Sequence, residues 1–196
     1  MASTPRIPKA ELTGTYGWAI KRFSKKMFGA IPEPAEVMWH NRPVLSSTMA
    51  FGRKLQKWNQ LDANLKSFAH MAVASLVGCS WCLDLNYFTA TNEGLDAAKA
   101  SEVPRWRVSS AFTPLERDVM EYAEAMSETP PRVTDDMVAH LLDQIGAPAM
   151  VELTAVVGFA NMTTRSNTAL GIESQGFSNA CALPLAERSV GLATPA

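Results

Sequence analysis

Proline placement and apolar spacing leave this chain one kind of regular structure. Between Pro32, Pro34, Pro43, Pro114, Pro130, Pro131 and Pro148, apolar residues recur at intervals of three and four. That is the period of a helix with one buried face. Asp62 is a good N-cap for a stretch carrying Leu65, Phe68, Ala69, Ala72, Val73, Leu76 and Val77, and Gly78 closes it. Thr113 with Glu116 forms a capping box, with Pro114 at the first helical position. Thr134 caps a helix that ends at Gly146, and Pro148 opens a last long one, 151–170. Further helices are predicted over 17–28, 35–41, 43–58, 83–91 and 95–100. On the first of these, Ile20, Phe23, Met27 and Phe28 form the apolar face. No run alternates β-branched residues, so the fold class is all-α.

With 47% hydrophobic and 19% charged residues in 196, the chain can bury one real core. A formal net charge of −1 leaves little for phosphate neutralisation, which argues against nucleic acid as partner. The charge is divided unevenly. Residues 1–60 hold ten Lys and Arg against three Asp and Glu, and the remainder holds eight against sixteen. The expected organisation is a basic helical arm (1–60), a helical domain (61–180) and an irregular tail (181–196). Such an arm suits docking on an acidic body, its own or a second copy's. No continuous apolar run reaches the ~18–20 residues of a membrane span, and the first fifteen residues lack a signal-peptide core. A cytoplasmic protein without a membrane partner is expected.

Three cysteines are too few for a disulfide scaffold, but two of them form V-G-C-S-W-C-L-D, with Cys79 and Cys82. Cysteines three apart at a helix start lie on one face and can bridge with little backbone movement. The helix N-terminus there stabilises a thiolate, which attacks a disulfide or a peroxide oxygen while the second cysteine resolves the product. Zinc competes poorly, because it wants four ligands and no second C-x-x-C exists. Two small buried apolar residues are the plain structural alternative. No metal or other cofactor is expected.

Five motifs accompany the pair: E-L-T-G (11–14), L-D-x-x-L-K (61–66), V-G-C-S-W-C-L-D (77–84), F-T-P-L-E-R (112–117) and A-L-G-I-x-S-Q-G-F-S (169–178). Together they resemble the carboxymuconolactone decarboxylase family, which includes the alkyl hydroperoxidase D (AhpD) enzymes. The resemblance implies an AhpD-like helical bundle and a homo-oligomer (dimer, trimer or hexamer). It also implies a dithiol that reduces hydroperoxides with electrons from a thiol or protein donor, with Cys82 meeting the peroxide.

The chain departs from that pattern at the proton relay. The family's Glu, twelve residues before the first cysteine, is Ser67, and its His, four after the second, is Asn86. Neither titrates near neutral pH. The family's E-N-x-R-x-R-F-N reads Ala160, Asn161, Met162, Thr163, Thr164, Arg165, Ser166, Asn167. His70, on the same helix face as Ser67 and one turn nearer the cysteines, is the candidate replacement base. A hydrogen-bonded histidine on an apolar face is the alternative.

Trp81 is expected to wall the site, and Asp84 to favour the helix terminus. Glu152, inside an apolar stretch, needs a partner or a cavity. Cys181 is expected at the surface. The leading function is thiol-dependent reduction of a hydroperoxide or disulfide. A lactone decarboxylase would need cations for substrate carboxylates, and Arg165 is the one available candidate. A non-catalytic or redox-sensing protein binding a small apolar ligand or partner is the third reading.

Overall fold

The computed structural model describes residues 4–188; residues 189–196 of the expected tail lie outside the described part. No strand occurs among the described residues. The order is α1 (Gly14–Phe28), α2 (Glu33–Met38), α3 (Arg42–Leu55), α4 (Ala63–Val77), α5 (Ser80–Asn92), α6 (Ala97–Glu102), α7 (Pro114–Ser127) and α8 (Asp135–Ala169), with short 3₁₀ turns between and after them.

Helix α4 sits at the centre, which is why it is apolar nearly all round. One side, Leu65, Ala69 and Val73, packs on Val119, Tyr122 and Ala123 of α7 and on Leu153, Val157 and Ala160 of α8. Its other side, Phe68, Met71 and Ala72, meets Tyr87 and Ala90 of α5 together with Val103, Trp106 and Phe112. The Asp62 side chain caps α4 by accepting from Asn64 and Leu65 N–H, and Gly78 ends it at φ 78°. The Thr113–Glu116 box caps α7 reciprocally.

Helix α8 is broken where the sequence indicates. Gly146 has φ 75° and ψ 165°, just before Pro148. By length and composition α8 could cross a membrane, although no unbroken apolar run suggests it, because interspersed Gly, Thr and Asn do not cancel its average hydropathy. The break at Gly146 divides it, and its apolar residues serve the core beside α4 and α7.

Ile20 of α1, Ala35 of α2 and Leu45 of α3 form a small core of their own with Leu12, just before α1, and Trp39, in the 3₁₀ turn after α2. Here one expectation is corrected. Helix α1 buries Gly17, Ile20 and Ser24, while Phe23 and Met27 are 54% and 50% exposed. The cause is close approach: a Cβ at Gly17 would lie 2.6 Å from the Leu12 carbonyl carbon. The helix therefore docks through Gly17, Ile20 and Ser24 and leaves Phe23 and Met27 outside.

Glu152 finds the partner its burial demands. Its Oε1 lies 3.0 Å from Lys66 Nζ, and its Oε2 accepts from Gln60 N–H at 2.8 Å. A buried carboxylate without such partners would cost several kcal/mol.

Candidate active site

The turn between α4 and α5 makes the dithiol. Gly78, in the left-handed region, reverses the chain so that Cys79 becomes the N-cap of α5, and its sulfur accepts from Cys82 N–H at 3.3 Å. Cys79 and Cys82 are joined as a disulfide, with Cα atoms 5.3 Å apart. They are 1% and 2% exposed and pack with Ala74 and Trp81.

Trp81, half-buried between them, donates its indole N–H to Gln175 Oε1 at 2.9 Å. Gln175 in turn donates to Ile31 O and accepts from Glu33 N–H. The wall over the disulfide is thus fastened to the N-terminal segment through one glutamine. Asp84, buried, fastens the same loop from below. It accepts from the Ser174 hydroxyl and from the N–H groups of Gln175, Gly176, Phe177 and Ser178. Burial raises its pKa, but the bonds from Ser178, Ser174 and Phe177 outweigh that and hold it below the ordinary carboxylate value.

The relay positions are occupied by side chains bonded to their own helices. Ser67 donates to Ala63 O, and Asn86 donates to Cys82 O at 2.6 Å. His70 packs edge-on against Phe159, with centroids 6.4 Å apart. It supplies neither hydrogen bond received by the two sulfurs. Burial lowers its pKa to about 4, so the imidazole is neutral at pH 7.

Because the folded pKa lies below the ordinary ~6.5, the protein gains His70-linked stability above that value. It loses that stability as pH falls toward about 4. His70→Gln is expected to flatten the stability profile in this window, measured by urea unfolding at pH 7, 5.5 and 4.5. An unchanged slope would contradict the burial argument.

Two side chains escaped the sequence reading. Asn167, buried in the last turn of α8, places Nδ2 3.3 Å from Cys82 Sγ. Gln175 anchors Trp81. Both lie within the motifs at 160–167 and 169–178, which mark the segments, but their partners are distant in sequence and local spacing does not name them.

Cys181 is only partly exposed. Its Sγ lies 3.4 Å from Thr91 Oγ1, about two and a half turns of α5 beyond Cys82, or ~13 Å along the axis. Arg165 donates to Asn161 Oδ1 and to Ser127 O. Among the described residues no group of three or more His, Cys, Asp or Glu could hold a metal ion.

A model of the carboxymuconolactone decarboxylase family matches residues 43–125. Protein YnjA of Escherichia coli K12, itself uncharacterized, is 34% identical over 137 residues, which is 70% of this chain and 74% of that protein. The chain belongs to the carboxymuconolactone decarboxylase family. Its fold is similar to that of a peroxidase-related protein with an alkylhydroperoxidase AhpD core from Ralstonia eutropha JMP134. That match has a TM-score of 0.77 at 16% identity, covering 88% of this chain and 94% of the other. It is also similar to that of the apo debrominase Bmp8, with a TM-score of 0.72 at 19% identity, covering 82% and 87%. At these identities the likeness is one of fold.

Proposed function

We propose that the protein is a thiol–disulfide oxidoreductase of this family, working through Cys79 and Cys82, and that disulfides rather than hydroperoxides are its efficient substrates. The observation that carries the preference is the state of Ser67 and Asn86, neutral and bonded to their own helices.

The two reactions differ in their need for a proton. When a Cys82 thiolate attacks a hydroperoxide, the O–O bond breaks. The cysteine becomes a sulfenic acid, and the departing alkoxide must be protonated to an alcohol. Attack by Cys79 then forms the disulfide and expels water, again with a proton. Disulfide exchange needs no such acid. The Cys82 thiolate attacks a substrate sulfur and one thiolate leaves. Cys79 then attacks Cys82 Sγ, and the second thiolate leaves. The substrate gains two electrons, the pair loses two, and each thiolate leaves without prior protonation because it is a far weaker base than an alkoxide. A thiol or protein reductant returns the electrons.

The disulfide joining the pair supports this reading, and Arg165 is already engaged by Asn161 Oδ1 and Ser127 O. A lactone decarboxylase would want that cation free.

The test mixes the reduced protein rapidly with hydrogen peroxide, an organic hydroperoxide, and an aromatic disulfide whose released thiol absorbs visible light. Disulfide reduction well above the rate of a free thiol, with peroxide reduction near that rate, is the expected pattern. Fast peroxide reduction would refute the preference, and slow reaction with all three would refute the oxidoreductase reading.

A further inference from the structure

A thiolate buried as deeply as these sulfurs is penalised by desolvation, which raises a thiol's pKa. With Ser67 and Asn86 turned to backbone carbonyls, a reactive pair needs other donors. Cys79 has one, the Cys82 N–H at the start of α5. Cys82 has Asn167.

Asn167 is 5% exposed, with Nδ2 3.3 Å from Cys82 Sγ. A carboxamide nitrogen can only donate. A disulfide sulfur accepts such a bond weakly and a thiolate strongly, so the contact gains most of its strength on reduction.

The asparagine is also held in place. Its backbone carbonyl accepts from Ile172 N–H at 3.0 Å. Of the three carbonyls after it, Thr168 O also accepts from Gly171 N–H, and all three are held by Arg6. The guanidinium donates to Thr168 O and Ala169 O, and the Arg6 N–H donates to Leu170 O. A residue of the N-terminal segment thereby fixes the end of α8 from which Asn167 reaches the sulfur.

We propose that Asn167 is a positioning residue of the dithiol, whose side-chain amide holds Cys82 as a thiolate in the reduced protein. It does with a fixed neutral dipole what a titrating relay does elsewhere, at the sulfur that attacks in one direction and departs in the other. No proton moves through it. On reduction, one thiolate of an external dithiol attacks Cys79 Sγ and forms a mixed disulfide, while the Sγ–Sγ bond breaks and its electron pair rests on Cys82 beside the amide. The second external thiolate then attacks its partner sulfur in that mixed disulfide, Cys79 leaves as a thiolate, and the external dithiol ends as its own disulfide. The inference rests on the dithiol reading above.

The experiment measures the pKa of Cys82 in the full chain carrying Cys79→Ser and Cys181→Ser, from the pH dependence of iodoacetamide alkylation. Asn167→Leu removes the donor while keeping the γ-branched shape, and Asn167→Asp replaces it with a negative charge. Loss of a hydrogen bond to a charged acceptor is expected to raise the pKa by about one unit in the leucine variant, and the aspartate should raise it further. Alkylation at low pH then slows about tenfold. Cys79, measured in the chain carrying Cys82→Ser and Cys181→Ser, should shift far less. Asn167→Ser, which removes the amide without adding bulk, keeps the test available if the leucine variant does not fold.

An unshifted Cys82 pKa in the folded variants overturns the proposal. An equal shift at both cysteines overturns it too, since that would report a general loosening. If exchange proceeds while the pKa ignores Asn167, this inference alone fails. If the pKa responds and no disulfide is turned over, the inference stands and the oxidoreductase reading fails.

Discussion

Cys79→Ser is expected to convert the protein from a catalyst into a trap. With Cys82 alone, a substrate disulfide is attacked once and stays attached, because no second thiol is near enough to release it. Cys181 lies against Thr91, about two and a half turns further along α5. Turnover should fall to the background rate of free thiols, with one equivalent of mixed disulfide visible by intact mass. Cys82→Ser should also abolish turnover, but without accumulating the adduct. Neither loss would reflect unfolding. The bridge closes a loop only three residues apart in sequence, for which chain entropy allows about 2 kcal/mol, and the helices around it are held by two separate apolar clusters. Thermal melts of both variants should stay within several degrees of the reduced parent protein. An adduct on Cys79 in the Cys82→Ser variant, with none on Cys82, would reverse the roles while leaving the dithiol mechanism intact.

The parts of this site that were legible in the sequence are those coded locally. Asp62, the Thr113–Glu116 box and the Gly146–Pro148 break each act within a few residues, and each stands where the pattern indicates. The dithiol is legible for the same reason, since three residues suffice to bring two sulfurs together. What the local pattern cannot carry is contact between distant segments. Asn167 meets Cys82 across 85 positions, and Gln175 meets Trp81 across 94. Both residues stand in recognisable motifs, at 160–167 and 169–178, but a motif position does not announce which distant side chain it meets. The packing of α1 was misread for a related reason. Its large apolar residues look like a buried face, yet Gly17 permits an approach to Leu12 that they would block. His70 shows a third limit. Its spacing on α4 suits a base, but the pKa that decides its protonation depends on burial beside Phe159, which becomes visible only in the packed structure.

Asp84→Ala is expected to be the most destabilising single change near the site, and to open it. The carboxylate receives four backbone N–H groups and one hydroxyl from residues 174–178, so its loss leaves several donors in a half-buried turn without an acceptor. Hydrogen bonds to a charged group are worth ~1.5–3 kcal/mol each. They are not additive, and part of the loop can turn to water, so a net loss of about 3–5 kcal/mol follows by urea unfolding. Asp84→Asn keeps the shape but offers one acceptor oxygen in place of two and turns an NH₂ toward the N–H donors, so it should recover only a minor share. The same loop carries Gln175, the partner of Trp81. Releasing it should let a bulky phosphine reduce the Cys79–Cys82 disulfide faster, while a small dithiol gains less. Low pH acts on the same carboxylate. Its folded pKa is depressed, so its contribution is fully present above the ordinary ~3.9 and is lost as pH falls through the lower folded value. His70 weakens the fold earlier, between ~6.5 and about 4. Acid unfolding should therefore proceed in two ranges, with His70→Gln removing the upper one and Asp84→Asn the lower. A single range, insensitive to Asp84→Asn, would mean that the 174–178 loop is held by contacts other than this carboxylate.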